Sequence, residues 1–242
     1  MKNSIEVINL SKSYKTKKAV NNISFKIDEN EIVGLLGPNG CGKTTTIGMI
    51  LGLLKPTSGQ VLINGKNIEN NKISILHKMN FISPYIELPK KLTVKQNLIV
   101  YGKLYNIKNL NERINFLSEK LRLGDLLDKI TGELSSGQKN RVSLAKALIN
   151  DPTVLLLDEP TAALDPETAD FIRTFLEKLR EEKKISVLLA SHNMDEVKRL
   201  CNSVMMMKDG NIVDGGTPED LIEKYGQKNL EEVFLKIVRK DK

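Results

Sequence analysis

Apolar runs bounded by turn residues open this chain. Ile5–Leu10, Ile23–Ile27 and Ile32–Leu36 each predict a strand. Ile47, Ile50, Leu51 and Leu54 then recur at the i, i+3, i+4, i+7 spacing of one buried helix face. Thr57-Ser58-Gly59 predicts a turn, and Val61–Gly65 a short strand ending in another. Met79–Ile82 is a further strand, halted by Ser83-Pro84. From about Leu92 to Asn150 the pattern is helical, with Ile114, Leu117 and Leu121, then Val142, Ala145 and Ile149, at helical spacing. Strands return at Val154–Leu157 and Ile185–Ala190, separated by a helix face of Phe171, Ile172, Phe175, Leu176 and Leu179. Fully apolar strands between helices predict a parallel sheet covered on both sides. Val204–Val213 predicts a hairpin turning at Asp209-Gly210-Asn211, followed by two short helices. The predicted fold class is α/β: a parallel-sheet core with an antiparallel β part and an inserted helical part. One domain is expected over 1–242, with 1–83 and 151–242 as its core and 84–150 as the helical insertion.

Composition narrows the class. A chain of 242 residues buries a sizeable core, and 40% hydrophobic with 28% charged residues is ordinary for a globular protein. No apolar stretch approaches the roughly 18 residues that a membrane-spanning helix needs, and Met1–Glu6 shows no apolar signal segment. The net charge of +7 permits an anionic neighbour. The lysines are scattered, however, and clusters such as Lys15-Thr16-Lys17-Lys18 suit solvated surface, so no nucleic-acid partner is expected. Cys41 and Cys201 make neither a disulfide framework nor a metal cluster. A cytosolic location is expected.

Chemistry enters at Gly37-Pro38-Asn39-Gly40-Cys41-Gly42-Lys43-Thr44, which fits the phosphate-loop pattern G-x-x-x-x-G-K-[ST] between a predicted strand and a predicted helix. Glycines let successive N–H groups point inward, and the helix N-terminus adds its dipole. Lys43 would reach the β- and γ-phosphates, and the Thr44 hydroxyl would ligate Mg²⁺. Asp158 and Glu159 end a buried strand, where a Mg²⁺-organising aspartate and a base for an attacking water belong; read alone, two acids before Pro160 also suit a plain strand end. Ser135-Ser136-Gly137 before a helix offers N–H groups and hydroxyls to an anion, and read alone is an N-cap. His192 alone is a polar residue closing an apolar strand.

The order of these pieces is what carries a resemblance. Glycine-rich loop, helical insertion, serine–glycine cap, Asp158-Glu159, Ala163-Leu164-Asp165 and Ser191-His192 follow one another as in the nucleotide-binding subunit of ABC transporters, which the chain resembles over nearly its whole length. Gly37–Thr44 resembles the family's Walker A motif and Val154–Asp158 its Walker B motif. Leu134–Gln138 resembles its signature, with Ser136 in place of a usual glycine. Asp165 resembles the D-loop aspartate and His192 the switch histidine. Tyr14 falls where the family stacks an aromatic on adenine; read alone it is a strand-edge aromatic. The resemblance implies an ATPase that uses ATP and Mg²⁺ on a P-loop NTPase core. Nucleotide contacts would come from Tyr14, Gly37, Pro38, Asn39, Gly40, Cys41, Gly42, Lys43, Thr44 and Thr45, metal contacts from Thr44 and Asp158, and catalysis from Glu159, His192 and Lys43. It further implies two subunits meeting head to tail, with Ser135, Ser136, Gly137 and Gln138 of one copy facing the ATP of the other. The pair would dock on an integral membrane permease at the cytoplasmic face of the membrane. Asn229–Leu235 resembles the ending of the family's exporter branch, which points to export.

Beyond Ser136, two further places depart from the family pattern. Ser83-Pro84 stands where a glutamine usually touches Mg²⁺ and the attacking water, and the next glutamine, Gln96, lies in a helix pattern. Ser83 offers a hydroxyl there. Cys41 replaces a small residue; it fills space, and a thiol near a helix N-terminus tends to ionise, so maleimide inactivation with protection by ATP is expected. A soluble ABC-type ATPase acting on ribosomes or DNA is the alternative, but such proteins carry two modules or long coiled coils. A P-loop kinase leaves the serine–glycine cap and His192 unexplained.

Overall fold

The structure is a computed structural model that describes residues 3–15, 17–84 and 86–239. β1 (Asn3–Tyr14) and β2 (Lys17–Asp28) form an antiparallel pair, and β3 (Ile32–Leu36) leads through the glycine-rich loop into α1 (Lys43–Ile50). β4 (Ser58–Ile63) and β5 (Lys66–Asn67) complete a four-stranded antiparallel sheet of order β2-β1-β4-β5. α2 (Ile68–Leu76) and β6 (Met79–Ile82) follow. Three helices come next: α3 (Val94–Leu104), α4 (Leu110–Lys120) and α5 (Ser136–Leu148). Alternation then resumes with β7 (Val154–Asp158), α6 (Pro166–Glu182), β8 (Ser186–Ala190), α7 (Met194–Leu200), the hairpin β9 (Ser203–Lys208) and β10 (Asn211–Gly216), and finally α8 (Pro218–Tyr225) and α9 (Leu230–Arg239).

The second sheet has the order β10-β9-β3-β8-β7-β6, and its ladders are parallel except for β9–β10. Its central strands β3, β7 and β8 are buried along their whole length because both faces are covered, whereas the edge strand β10 is polar and partly exposed. The period of two sorts the side chains. Ile32, Leu36, Leu155, Leu157, Val187, Leu189, Val204 and Met206 join a core shared with the helices α3 to α7 and α9. Val33, Leu35, Val154, Leu156, Leu188, Ala190, Met205 and Met207 face the other way, into a core shared with the antiparallel sheet and α1. Asp209 and Gly210, at φ 47° and 79°, make the two-residue loop of the β9–β10 hairpin.

Two sequence expectations change. Leu54 lies beyond α1, which ends at Leu51 and Gly52 (φ 64°); it nonetheless packs back on Gly48, where the backbone N–H groups of Leu53 and Leu54 bond the Gly48 carbonyl. The spacing therefore marked a contact and not a continued helix. Ser58 and Gly59, read as part of a turn, belong to β4. Gly59 sits at φ 85° with its backbone against Asn9, at the irregular stretch of the β1–β4 ladder, so a glycine there marks a bulge.

Candidate active site

Parallel strands put all their C-terminal ends on one edge of the sheet, and the candidate residues are the ones that follow those ends. Leu35 of β3 pairs with Ala190 of β8, and Ala190 with Asp158 of β7. The loop from Gly37, the Asp158-Glu159 pair and Ser191-His192 therefore leave three adjacent strands at one level. Ser83 leaves β6 beside them.

Gly37 and Gly42 are required by close approach. A Cβ on Gly37 would run into the Met207 carbonyl and the Cys41 sulfur; one on Gly42 (φ 115°) would meet the Ala19 carbonyl of β2. Gly42 is the N-cap of α1 and supplies no side-chain cap, so the first-turn N–H groups of Lys43, Thr44 and Thr45 have no acceptor within the helix. Lys43 is buried and arches back over the loop, donating to the Gly37 carbonyl (2.6 Å) and the Pro38 carbonyl (3.3 Å). A cation, two left-handed glycines and an uncapped helix start make an anion cradle. Asn39, Gly40 and Thr44 are its exposed members. Cys41 is buried, and burial pushes its thiol up, against a smaller opposing pull from Lys43. The expected ionisation is thus overturned: desolvation outweighs the helix start.

Asp158 is buried, and burial, then the charge of Glu159, hold its carboxyl above the usual range. The Ser83 hydroxyl approaches its Oδ2 at 3.5 Å. Asp158, Ser83 and Thr44 are all oxygen donors, the set a hard divalent cation prefers. Among the described residues no group of three or more His, Cys, Asp or Glu side chains is placed to hold a metal by itself. A cation here would complete its shell with phosphate and water oxygens, as Mg²⁺ does.

Glu159 adopts φ 51°, in the left-handed region that costs a side-chain-bearing residue free energy and that clusters at functional sites. Its N–H extends the ladder to the Ala190 carbonyl (2.8 Å), and its Oε1 lies 2.6 Å from Nδ1 of the exposed His192. The acid and the histidine predicted from separate motifs are therefore one pair. Tyr14 closes β1 half-exposed, with the Lys12 ammonium 5.2 Å above its ring. It pairs with Lys17 at the end of β2 that runs toward Ala19 and Gly42.

The signature residues belong to a separate element, the start of α5. Ser135 is the N-cap of α5 in a reciprocal capping box: its Oγ accepts from the Gln138 N–H (3.3 Å), and the Gln138 side chain accepts from the Ser135 N–H (3.0 Å). Ser136 is exposed, while Gly137 is buried where a Cβ would stand 3.0 Å from Thr168 Oγ1, so glycine lets α5 touch α6. Asp165 caps α6 by accepting from the Thr168 N–H (2.9 Å), a bond that keeps its carboxyl below the usual range. Among the described residues no hydrogen bond joins Ser135–Gln138 to Gly37–Thr45. A cleft of about 260 Å³ opens between Ser136 and Asn140 of α5 on one side and Ser83, Glu159 and Ala163 on the other. Thr161 and Glu196, both buried beside this site, carry no motif that a sequence reading would single out.

The comparisons with known proteins match this geometry. The family model described as ABC transporter matches residues 20–162, and one of an AAA domain matches a shorter overlapping stretch, 132–197. ABC transporter ATP-binding protein NatA of Bacillus subtilis is 35% identical over 93% of this chain and 93% of its own length. Nod factor export ATP-binding protein I of Rhizobium johnstonii is 38% identical over 91% of this chain and 71% of its own. A solved ATP-binding subunit of an ABC transporter superposes with a TM-score of 0.88 at 26% identity, covering 96% of this chain and 98% of that one. A dimeric ATP-binding cassette in a post-hydrolysis state, bound to ADP and Pi, gives 0.80 at 27% identity over 88% and 98%. With a phosphate loop opening α1 and a strained acid beside a histidine at the same sheet edge, the chain belongs to the ABC transporter family and is one of its ATP-binding, ATP-hydrolysing subunits.

Proposed function

We propose that the chain works as a homodimer that closes on Mg²⁺-ATP and drives transport through a separate membrane permease, in the direction of export. The observation that carries this reading is the division of the site. The cation-bearing loop and the Glu159–His192 pair occupy the sheet edge, while the capped start of α5, across a cleft from Glu159, makes no hydrogen bond to the phosphate loop of its own chain among the described residues. A second copy turned head to tail brings its α5 start onto the first copy's triphosphate. Ser135 suits that role because the hydroxyl accepts from Gln138 and still has its O–H to donate.

Hydrolysis of a phosphoanhydride needs positioning and charge stabilisation more than covalent chemistry. Mg²⁺, which Thr44 and Asp158 would hold with Ser83 beside them, would supply charge neutralisation for the phosphates. Lys43 has its carbonyl contacts to exchange for phosphate oxygens. Glu159 orients and deprotonates the attacking water, and His192 fixes the carboxylate and reaches toward the γ-phosphate. Tyr14 stacks on adenine, Asp165 lies at the dimer seam, and the nucleotide contacts are those predicted from Gly37 to Thr45. Residues 84–150 act as an inserted helical unit on a core of 1–83 and 151–242.

No described helix is long and apolar enough to cross a membrane. In this reading the chain works beside a separate permease, at the cytoplasmic face of the membrane. The exporter-like Asn229–Leu235 leads into α9, which is docked through Leu230, Val233 and Ile237, and the relative named for Nod factor export is 38% identical. The experiment is phosphate release from ATP by the purified protein, together with membrane co-purification from cells. Stoichiometric free phosphate, abolished in Glu159→Gln, with the protein at the membrane, is the expected result. Ribosome association with no membrane fraction would overturn the transport role.

A further inference from the structure

The loops that carry Glu159 and His192 are joined from behind by one buried carboxylate. Glu196, on α7, has 0% of its surface exposed. Its Oε1 accepts from the hydroxyl of Thr161 (2.8 Å), two residues beyond Glu159, and its Oε2 accepts from the hydroxyl of Ser191 (2.6 Å), adjacent to His192. The start of α7 is fixed to the same point: Ser191 Oγ accepts from the Asn193 N–H (3.1 Å), and Asn193 Oδ1 accepts from the Glu196 N–H (3.1 Å).

A buried carboxylate is a poor choice for stability alone. Its desolvation is only offset, not exceeded, by good partners, and a packed apolar residue often does as well. Burial pushes this carboxyl up; the two hydroxyls and the charge of Arg173 on α6 oppose that, and Arg173 Nε is itself buried without a hydrogen-bond partner. What the arrangement provides is a fixed separation. Residues on either side of Thr161, Glu159 at φ 51° and Ala163 at φ 57°, hold left-handed backbone, which persists only where the surroundings over-determine it. The Thr161 anchor supplies part of that constraint.

We propose that Glu196 is a positioning residue for ATP hydrolysis, clamping Thr161 to Ser191 and so setting the distance between Glu159 Oε1 and His192 Nδ1. The inference rests on the reading of that pair as the hydrolytic one. Three variants separate position from packing. Glu196→Leu keeps the volume and removes both bonds. Glu196→Gln keeps the bridge, because its carbonyl accepts from one hydroxyl and its amide donates to the other. Thr161→Val removes one anchor at nearly constant shape and serves should the leucine variant fold poorly.

The measurements are kcat and KM for ATP, the melting temperature, and the imidazole ¹⁵N spectrum. Only two histidines contribute to that spectrum, so the Nδ1 signal of His192 is assignable. Glu196→Leu is expected to lower kcat about tenfold to a hundredfold with KM within about twofold, as misplacement without lost binding does. The His192 Nδ1 signal should lose its hydrogen-bonded character, Thr161→Val should move both readouts in the same direction, and Glu196→Gln should restore them. Unchanged kcat and ¹⁵N signal in Glu196→Leu and Thr161→Val would overturn the proposal, as would a loss of kcat that follows melting temperature and is not rescued by Glu196→Gln. Failure of the underlying reading looks different: Glu159→Gln would then hydrolyse ATP normally while Glu196→Leu still altered the His192 signal.

Discussion

α1 and α5 both begin on loops that carry chemistry, and they begin in opposite ways. α1 starts from Gly42, left-handed at φ 115° and without a side-chain cap. α5 starts from Ser135, whose hydroxyl and the Gln138 side chain close a capping box inside the same chain. The first leaves N–H donors for an anion and adds the Lys43 ammonium above them. The second has answered part of its own demand for acceptors, at the Gln138 N–H. An anion is therefore integral to the α1 loop and optional for the fold of α5. What α5 keeps is the N–H groups of Ser136 and Gly137, one hydroxyl proton, and a buried glycine that seats it against Thr168. The first start is built for an anion, and in the proposed dimer the second would meet the partner copy's nucleotide.

The largest effect that tests this contrast is on the α1 side. Lys43→Ala is expected to reduce ATP hydrolysis by about 10²–10³-fold, the loss seen when a preorganised charge-stabilising donor is removed. Phosphate release measures it, and turnover near the normal rate would show that the loop cation is dispensable. On the α5 side, Ser135→Asp separates capping from phosphate contact. Aspartate caps as well as serine, so the melting temperature should hold, while the added negative charge facing a triphosphate should cut turnover by roughly tenfold or more. Ser135→Ala sharpens the same point by losing about 1 kcal/mol of stability, read by denaturant titration.

The far end of α5 yields a pH test. Lys146 is packed between Phe81 and Tyr101 and donates to Asn80 Oδ1 and the Phe81 carbonyl, and burial lowers its pKa to about 8. The unfolded chain keeps that proton up to roughly pH 10.4, so between about pH 8 and 10 it binds more protons than the folded one and stability rises with pH. Below pH 8 the penalty is fully present. Lys146→Met should then be more stable than the parent by about 2 kcal/mol at pH 7, with the gap closing toward pH 10. A gap that is constant with pH would contradict the assignment. The smallest effect concerns Cys41: being buried with its thiol pushed up, it should resist maleimide in the native protein with or without ATP, and react only on unfolding.

Legibility followed chain-local signals. The strands Ile32–Leu36 and Met79–Ile82 stand where the apolar runs ended, and the helices around Ile114, Val142 and Ile172 where the spacing placed them. The glycine-rich loop was readable because its residue types are forced by backbone geometry at Gly37 and Gly42. Less visible was anything made by tertiary contact. Glu196 follows Asn193-Met194-Asp195 and reads as one more acid in a solvated first helical turn, yet it is buried between two loops. Cys41 misled because its position predicts ionisation, and only packing against Gly37 reveals the desolvation. Ser83 was noted as a departure, but its approach to Asp158 depends on β6 lying beside β7, a pairing between strands far apart in sequence.

The clamp between two copies is tested most directly by the mass of Glu159→Gln in Mg²⁺-ATP, measured by sedimentation equilibrium. With the water-activating carboxylate neutralised and Lys43, Asp158 and Ser135 intact, the variant should sediment as a dimer in ATP and as a monomer without it, and adding Ser135→Asp should abolish the dimer. A Glu159→Gln protein that binds ATP yet stays monomeric, alone and with its permease, would contradict the account.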